Sequence, residues 1–137
     1  MKGRKAELKE IDGGLKGVPK PPAHICAGMV KEWDTIAADM VQRKILTSSM
    51  MGVLETYIVA LWTVRECQAA IEKHGLLVET AHKMMKPNPA SGMMAKAMDT
   101  VARLSAELGL TPAARSKQGF ASPHSKPEGG APDGLDV

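Results

Sequence analysis

Aromatic side chains are scarce: Trp33, Tyr57, Trp62 and Phe120 are the only four in 137 residues. A β-sandwich or barrel is not expected from such a chain, because aromatic and β-branched residues are the ones that fit pleated, half-buried surfaces. Cysteine is sparse as well. Cys26 and Cys67 lie far apart, and the start of the chain lacks the charged, apolar, small pattern of a signal peptide, so neither a disulfide framework nor secretion is indicated. Long hydrophobic runs are missing too. The most apolar stretch, residues 50–64, contains Glu55 and falls short of the ~20 residues that a membrane span requires. A cytosolic compartment is expected.

Several kinds of chemistry are absent. There is no Gly-x-x-x-x-Gly-Lys-Ser/Thr loop and no Gly-x-Gly-x-x-Gly turn, so no glycine-rich turn is available to cradle a nucleotide. His24, His74, His82 and His124 share no metal-ligand spacing with one another or with Cys26 and Cys67. Each reads as a surface or cap residue. His24 and Cys26 stand two apart on an expected helix and so point to different faces, which argues against a nucleophile and base and leaves Cys26 buried or half-buried. The carboxylates are scattered along outer helix faces beside lysines. The expectation is no metal, no cofactor and no enzymatic activity.

What is present favours helix. Ten methionines and many alanines lose little rotamer freedom in a helix, and the length suits one domain. Nine of the methionines fall between Met29 and Met98 at helical spacing, which places them in packing before binding. Composition divides the chain into three parts. Residues 1–20, with Gly13, Gly14, Gly17 and Pro19, are expected to be a flexible basic arm, residues 21–117 a helical core, and residues 118–137 a disordered tail.

The first helix is expected over residues 23–44, with Pro22 in its first turn and Ile25, Met29, Trp33, Ile36, Ala37, Met40 and Val41 as its buried stripe. A second begins after a Thr47 or Ser48 cap and runs to His74, with Gly75 in the left-handed terminating conformation. Met50, Leu54, Tyr57, Ile58, Leu61 and Trp62 make its first half apolar over more than one face. Such a helix must be covered on several sides, and a neighbouring subunit is a natural supplier. The third starts with an Asn88 cap and Pro89, buries Met94, Ala97, Met98, Val101, Ser105 and Leu108, and ends at Gly109. Thr111-Pro112 announces a short fourth helix over residues 111–115. Residues 76–80 and 83–86 read as extended or hairpin-like, with no Asn-Gly or Gly-Gly turn to specify the pairing.

Positive charge lies in the flanks. Residues 1–20 carry Lys2, Arg4, Lys5, Lys9, Lys16 and Lys20 against three acids, residues 21–110 balance nine bases with nine acids, and Arg115, Lys117 and Lys126 follow without an acid before residues 127–137 return three acids. Basic flanks on a neutral globule suit a polyanion through counterion release. On charge alone, plain solvated tails are the readier explanation.

An ordered series of short pieces resembles the phage terminase small subunits. The pieces are Met1-Lys2-Gly3-Arg4-Lys5, then Pro21-Pro22 ahead of a helix bearing Trp33, then Ile45-Leu46-Thr47 opening a helix with Tyr57. Gly75, Lys86-Pro87-Asn88-Pro89 and Glu107-Leu108-Gly109-Leu110-Thr111-Pro112-Ala113-Ala114-Arg115 complete the series, which spans residues 1–117. Two positions depart from the pattern: Met50 stands where members of that family often carry an acid that completes a capping box, and Lys83 where a turn-forming Gly is common.

The resemblance implies an all-α protein of three main helices and a short C-terminal one, assembled as a ring. Its implied partners are double-stranded viral DNA, a separate large subunit holding the ATPase and nuclease, and further copies of itself, with no membrane, in the cytoplasm of an infected bacterium. The expected DNA contacts are Lys2, Arg4, Lys5 and Lys9, then Arg43 and Lys44, then Arg115 and Lys117. For Arg43, Lys44 and Arg115, favourable charge at a helix C-terminus explains the residues equally well. The alternative function is a helix-turn-helix transcriptional regulator reading a major groove with the second helix, whose start is too apolar to face base edges.

Overall fold

The computed structural model describes residues 14–112. Its elements run α1 (Val30–Gln42), α2 (Met51–His74), β1 (Leu77–Glu79), β2 (Met85–Pro87) and α3 (Pro89–Glu107), with short 3-10 turns at Ala27–Met29 and Ser48–Met50 leading into α1 and α2. The fold is mostly helical, with one small antiparallel sheet. Residues 113–115, expected in a fourth helix, lie outside the described residues.

Helix α1 starts at Val30, later than its apolar periodicity suggests. Cys26 has φ −57° and ψ 139°, which is not helical, and the Ile25 N–H turns back to the Pro22 carbonyl at 3.0 Å. The cause lies in the preceding segment. Fully buried Trp33 needs an acceptor for its indole N–H and finds the Pro19 carbonyl at 2.9 Å. The Leu15 N–H donates to the Leu46 carbonyl at 2.9 Å, and Gly14 bridges Thr47. Residues 14–20, expected in a mobile arm, therefore run along the core.

Helices α1 and α3 end in the same way. After α1, Lys44 takes φ 59° and its N–H donates to the Val41 carbonyl, while the Ile45 N–H reaches the Met40 carbonyl. After α3, Gly109 takes φ 67°, with Gly109 bonded to Ala106 and Leu110 to Ser105. Each is the two-bond left-handed terminator that satisfies orphan carbonyls. Glycine adopts it without steric cost; a lysine does not.

Helix α2 departs from expectation at both ends. The Thr47 hydroxyl pairs with the Ser49 hydroxyl at 2.8 Å and makes no cap to the helix, so a 3-10 turn opens α2. At the other end Gly75 has φ 90° and ψ 164°, an extended conformation open to glycine and different from the left-handed helical one expected. The chain enters β1 within two residues, and a Cβ on Gly75 would sit 3.3 Å from the Leu77 carbonyl oxygen.

Asn88 joins α2 to α3. Its side-chain oxygen caps α3 by accepting the Ala90 N–H at 3.0 Å, while its amide nitrogen donates to the Gly75 carbonyl at 2.9 Å. Its backbone N–H donates to the Leu76 carbonyl at 2.7 Å. One buried side chain thus closes the base of the β-hairpin and turns α3 back along α2. With Asn88 beside Gly75 and Leu108 in the same cluster as Leu54, the two helices run antiparallel.

The core gathers Ile25, Met29, Trp33, Ala37, Met40, Ile45, Leu46, Leu54, Ile58 and Leu108. It lies where α1 crosses the first half of α2 and the end of α3. Farther along, Cys67 and Ile71 of α2 and Ala97 and Leu104 of α3 are buried. Along α3 the inner row runs Met94, Ala97, Val101, Leu104 and Leu108. Met98, expected inside, is exposed and Leu104 is buried in its stead. The row follows three- and four-residue steps in strict alternation, and Met98 lies one residue off it.

In the hairpin, Leu77 faces Pro87, Val78 faces Lys86 and Glu79 faces Met85. The turn closes through Thr80 N–H to the Met84 carbonyl at 2.8 Å and Lys83 N–H to the Thr80 carbonyl at 2.9 Å. Lys83 sits at φ 61°, in the left-handed region that favours glycine. The departure at this position leaves the hairpin intact, at the cost of a side chain in an unfavourable region.

Candidate functional site

A groove of about 200 Å³ lies between the segment ahead of α1 and one side of α2. Its lining is His24, Ile25, Cys26, Met29, Ile58, Val59 and Trp62. The groove exists because the chain before Val30 is not α-helical: His24 and Cys26, expected on different faces of a helix, both line it. Cys26 is exposed, contrary to the expectation of burial, and Cys67 is the buried thiol.

Polar pairs frame this apolar floor. His24 lies 3.8 Å from the Glu55 carboxylate, and Arg65 bonds Glu32 at 2.6 Å while also reaching the Met29 sulfur at 3.3 Å. Tyr57 stands nearby, half-buried. Burial pushes its phenol above the usual value and the Glu32 carboxylate pushes the same way, while Arg65 opposes both. The hydroxyl therefore stays neutral at physiological pH. Among the described residues, no group of three His, Cys, Asp or Glu is placed to hold a metal ion, and no helix is long and apolar enough to cross a membrane.

The residues expected at subunit contacts divide into two groups. Leu54 and Ile58 are fully buried in the chain's own core, because they face α1. Met50, Tyr57 and Leu61 are half-buried against that same core. Trp62 remains open at 38% exposure, next to Val59 at 37%. The first half of α2 is thus covered by α1 on one side and α3 on another, and Val59 and Trp62 beside the groove are its large apolar side chains left exposed. Val59 was not among the expected contacts, although its place three residues before Trp62 puts it on the same face.

Of the expected DNA contacts, Lys2, Arg4, Lys5, Lys9, Arg115 and Lys117 lie outside the described residues. Arg43 is engaged within the fold. Its guanidinium meets Asp39 at 3.1 Å and donates to the Gly109 carbonyl at 3.4 Å, tying the end of α1 to the end of α3. Lys44 is exposed at the adjoining corner. At the start of α2, Leu54 is buried and Met50, Met51 and Val53 pack on the core, so that turn does not offer a recognition-helix face.

A second surface was not expected. Leu76, Leu77, Met84 and Met85 on and around the hairpin are all more than half exposed. Their clustering in a segment too short to bury them is the sequence signal that could have marked it.

A family model described as phage terminase, small subunit, matches residues 30–124, more than half of the chain. The match takes in α1, α2, the hairpin and α3, and begins beyond the Met1–Lys5 opening and Pro21-Pro22. No curated protein and no solved structure matches the chain.

Proposed function

Because the chain belongs to the phage terminase small-subunit family, we propose that it serves genome packaging as an oligomeric, non-catalytic component. Several copies close into a ring, bind double-stranded viral DNA, and deliver it to a separate large subunit that holds the ATPase and nuclease. The work takes place in the cytoplasm of the infected bacterium. The observation that carries this reading is the family match across all three helices. The exposed Val59 and Trp62 beside the groove support the assembly part of it, since a strip of that kind is where a further copy gains from packing.

In this reading the basic flanks supply DNA contacts. Lys2, Arg4, Lys5 and Lys9 precede the core in the chain and Arg115 and Lys117 follow it, with Lys44 at the corner between α1 and α2. Arg43, held by Asp39 and the Gly109 carbonyl, acts chiefly in positioning that corner. Each contact is weak, and repetition around a ring multiplies it.

The test is duplex binding by the full chain at several salt concentrations. Lys2, Arg4 and Lys5 changed together to Ala lower the affinity and flatten its salt dependence, while the assembled mass stays the same. An unaltered salt slope would remove the arm from the DNA contacts.

A further inference from the structure

Two exposed apolar surfaces on this chain cannot meet each other. In the hairpin, side chains alternate between faces, so Leu77, Glu79, Met85 and Pro87 share the outer face while half-buried Val78 lies on the other. Leu77 is 55% exposed and Met85 60%. The second surface is the groove floored by Ile58, Val59 and Trp62. Trp62 precedes His74, the last residue of α2, by twelve positions, roughly 18 Å of helix, so the hairpin of one chain does not reach its own groove.

The surfaces are matched in size and in charge. A cavity of roughly 150 Å³ admits benzene, so the groove, at about 200 Å³, has room for one Leu or Met side chain. In the hairpin and its turn, Lys83 and Lys86 stand exposed against the single acid Glu79, with Lys86 on the Val78 face and Glu79 on the Leu77/Met85 face, so the segment is net positive. Around the groove stand Glu55, Glu32 and, one helical turn beyond Trp62, exposed Glu66, against Arg65, which pairs with Glu32, so the rim is net negative. A basic apolar knob and an acidic-rimmed apolar hole favour one docking orientation.

We infer that the Leu77/Met85 face of the hairpin in one copy seats in the Trp62 groove of the next copy. The contact joins two different patches, so it is head-to-tail, and it repeats from copy to copy until the chain of subunits closes. The inference rests on the ring reading and goes further by naming the two surfaces that meet. It also gives the hairpin a purpose: a two-stranded ribbon with its apolar face in water is marginal by itself.

Cys26 lines the groove and is exposed, while Cys67 is buried, which supplies a built-in probe. Met85→Cys in the full chain places a second thiol on the hairpin. Within one subunit the two thiols are too far apart to bridge, since a disulfide needs Cα atoms within about 7 Å. Mild oxidation of this variant gives a ladder of covalent dimers, trimers and larger species, whereas the unmodified chain stops at pairs. Met84→Cys is run beside it to allow for local geometry.

A ladder from either variant supports the contact. Pairs alone, or no cross-linking from both variants while the native mass stays oligomeric, overturns the hairpin-groove contact and leaves the ring reading standing. A monomeric native mass overturns both. Protection of the introduced thiol from maleimide by added duplex, without a ladder, assigns the hairpin to DNA and overturns the inference.

Discussion

The two ends of α2 carry the same kind of side chain and meet different fates. At its start Leu54 and Ile58 are sealed between α1, with Trp33 and Met40, and the end of α3. At its far end α3 alone covers Cys67 and Ile71, and the chain then leaves as a hairpin with Leu76, Leu77, Met84 and Met85 in the open. The lesson is that apolar content does not tell which surface is finished within a subunit. The closed end buries its core within one chain and leaves only the Val59 and Trp62 strip open, whereas the hairpin end leaves most of its apolar side chains in water.

Substitutions at the two ends sharpen the contrast. Trp33→Ala removes a fully buried indole and its bond to the Pro19 carbonyl, at a cost of about 3–5 kcal/mol. Denaturant melts should place this variant near the limit of folding, as small domains have only about 5–15 kcal/mol in total. Folding as robust as the parent chain would mean that the closed end is not the source of stability.

Asn88→Ala has a smaller effect at the other end. It removes the α3 cap and leaves the Gly75 carbonyl without its side-chain donor, a loss of about 1–2 kcal/mol. Hydrogen exchange should quicken first in the hairpin and the first turn of α3. Uniform quickening across α1 would contradict the separation of the two ends.

Lys83→Gly is expected to act in the opposite direction. Relief of the left-handed lysine outweighs the entropy added to the unfolded chain and stabilises the hairpin by about 0.5–1 kcal/mol. The amide of Lys83, bonded to Thr80, is the reporter in the parent chain, and its neighbour Met84 is the reporter in the variant. Protection that falls at the Met84 amide would show that the turn prefers the lysine.

Much of the fold was legible where local chemistry decides structure. Asn88 followed by Pro89 marked the start of α3, and the Asn88 cap is made. Gly109 marked its end, and the left-handed terminator is there. What escaped depended on partners distant in sequence. The start of α1 is set by the need of Trp33 for the Pro19 carbonyl, which no periodicity in residues 23–44 encodes. Thr47 had the chemistry of a cap, but the Ser49 hydroxyl takes its bond.

For the candidate site the divide is similar. The apolar breadth of α2 was plain from its residues, yet only packing distinguishes Ile58, buried, from Val59 and Trp62, exposed. Arg43 looked like a basic contact, and the carbonyl of Gly109, far along the chain, gives it a structural task. Residues 76–80 and 83–86 were legible as a hairpin, but only packing shows that Leu77 and Met85 on it stay exposed.

The most direct test of the account is the native mass of the full chain, weighed alone and with duplex DNA across a range of salt. The account predicts one discrete multiple of the 14.6 kDa subunit, which takes up duplex at low salt and sheds it as salt rises. A solitary 14.6 kDa species whose mass does not respond to duplex at any salt would contradict it.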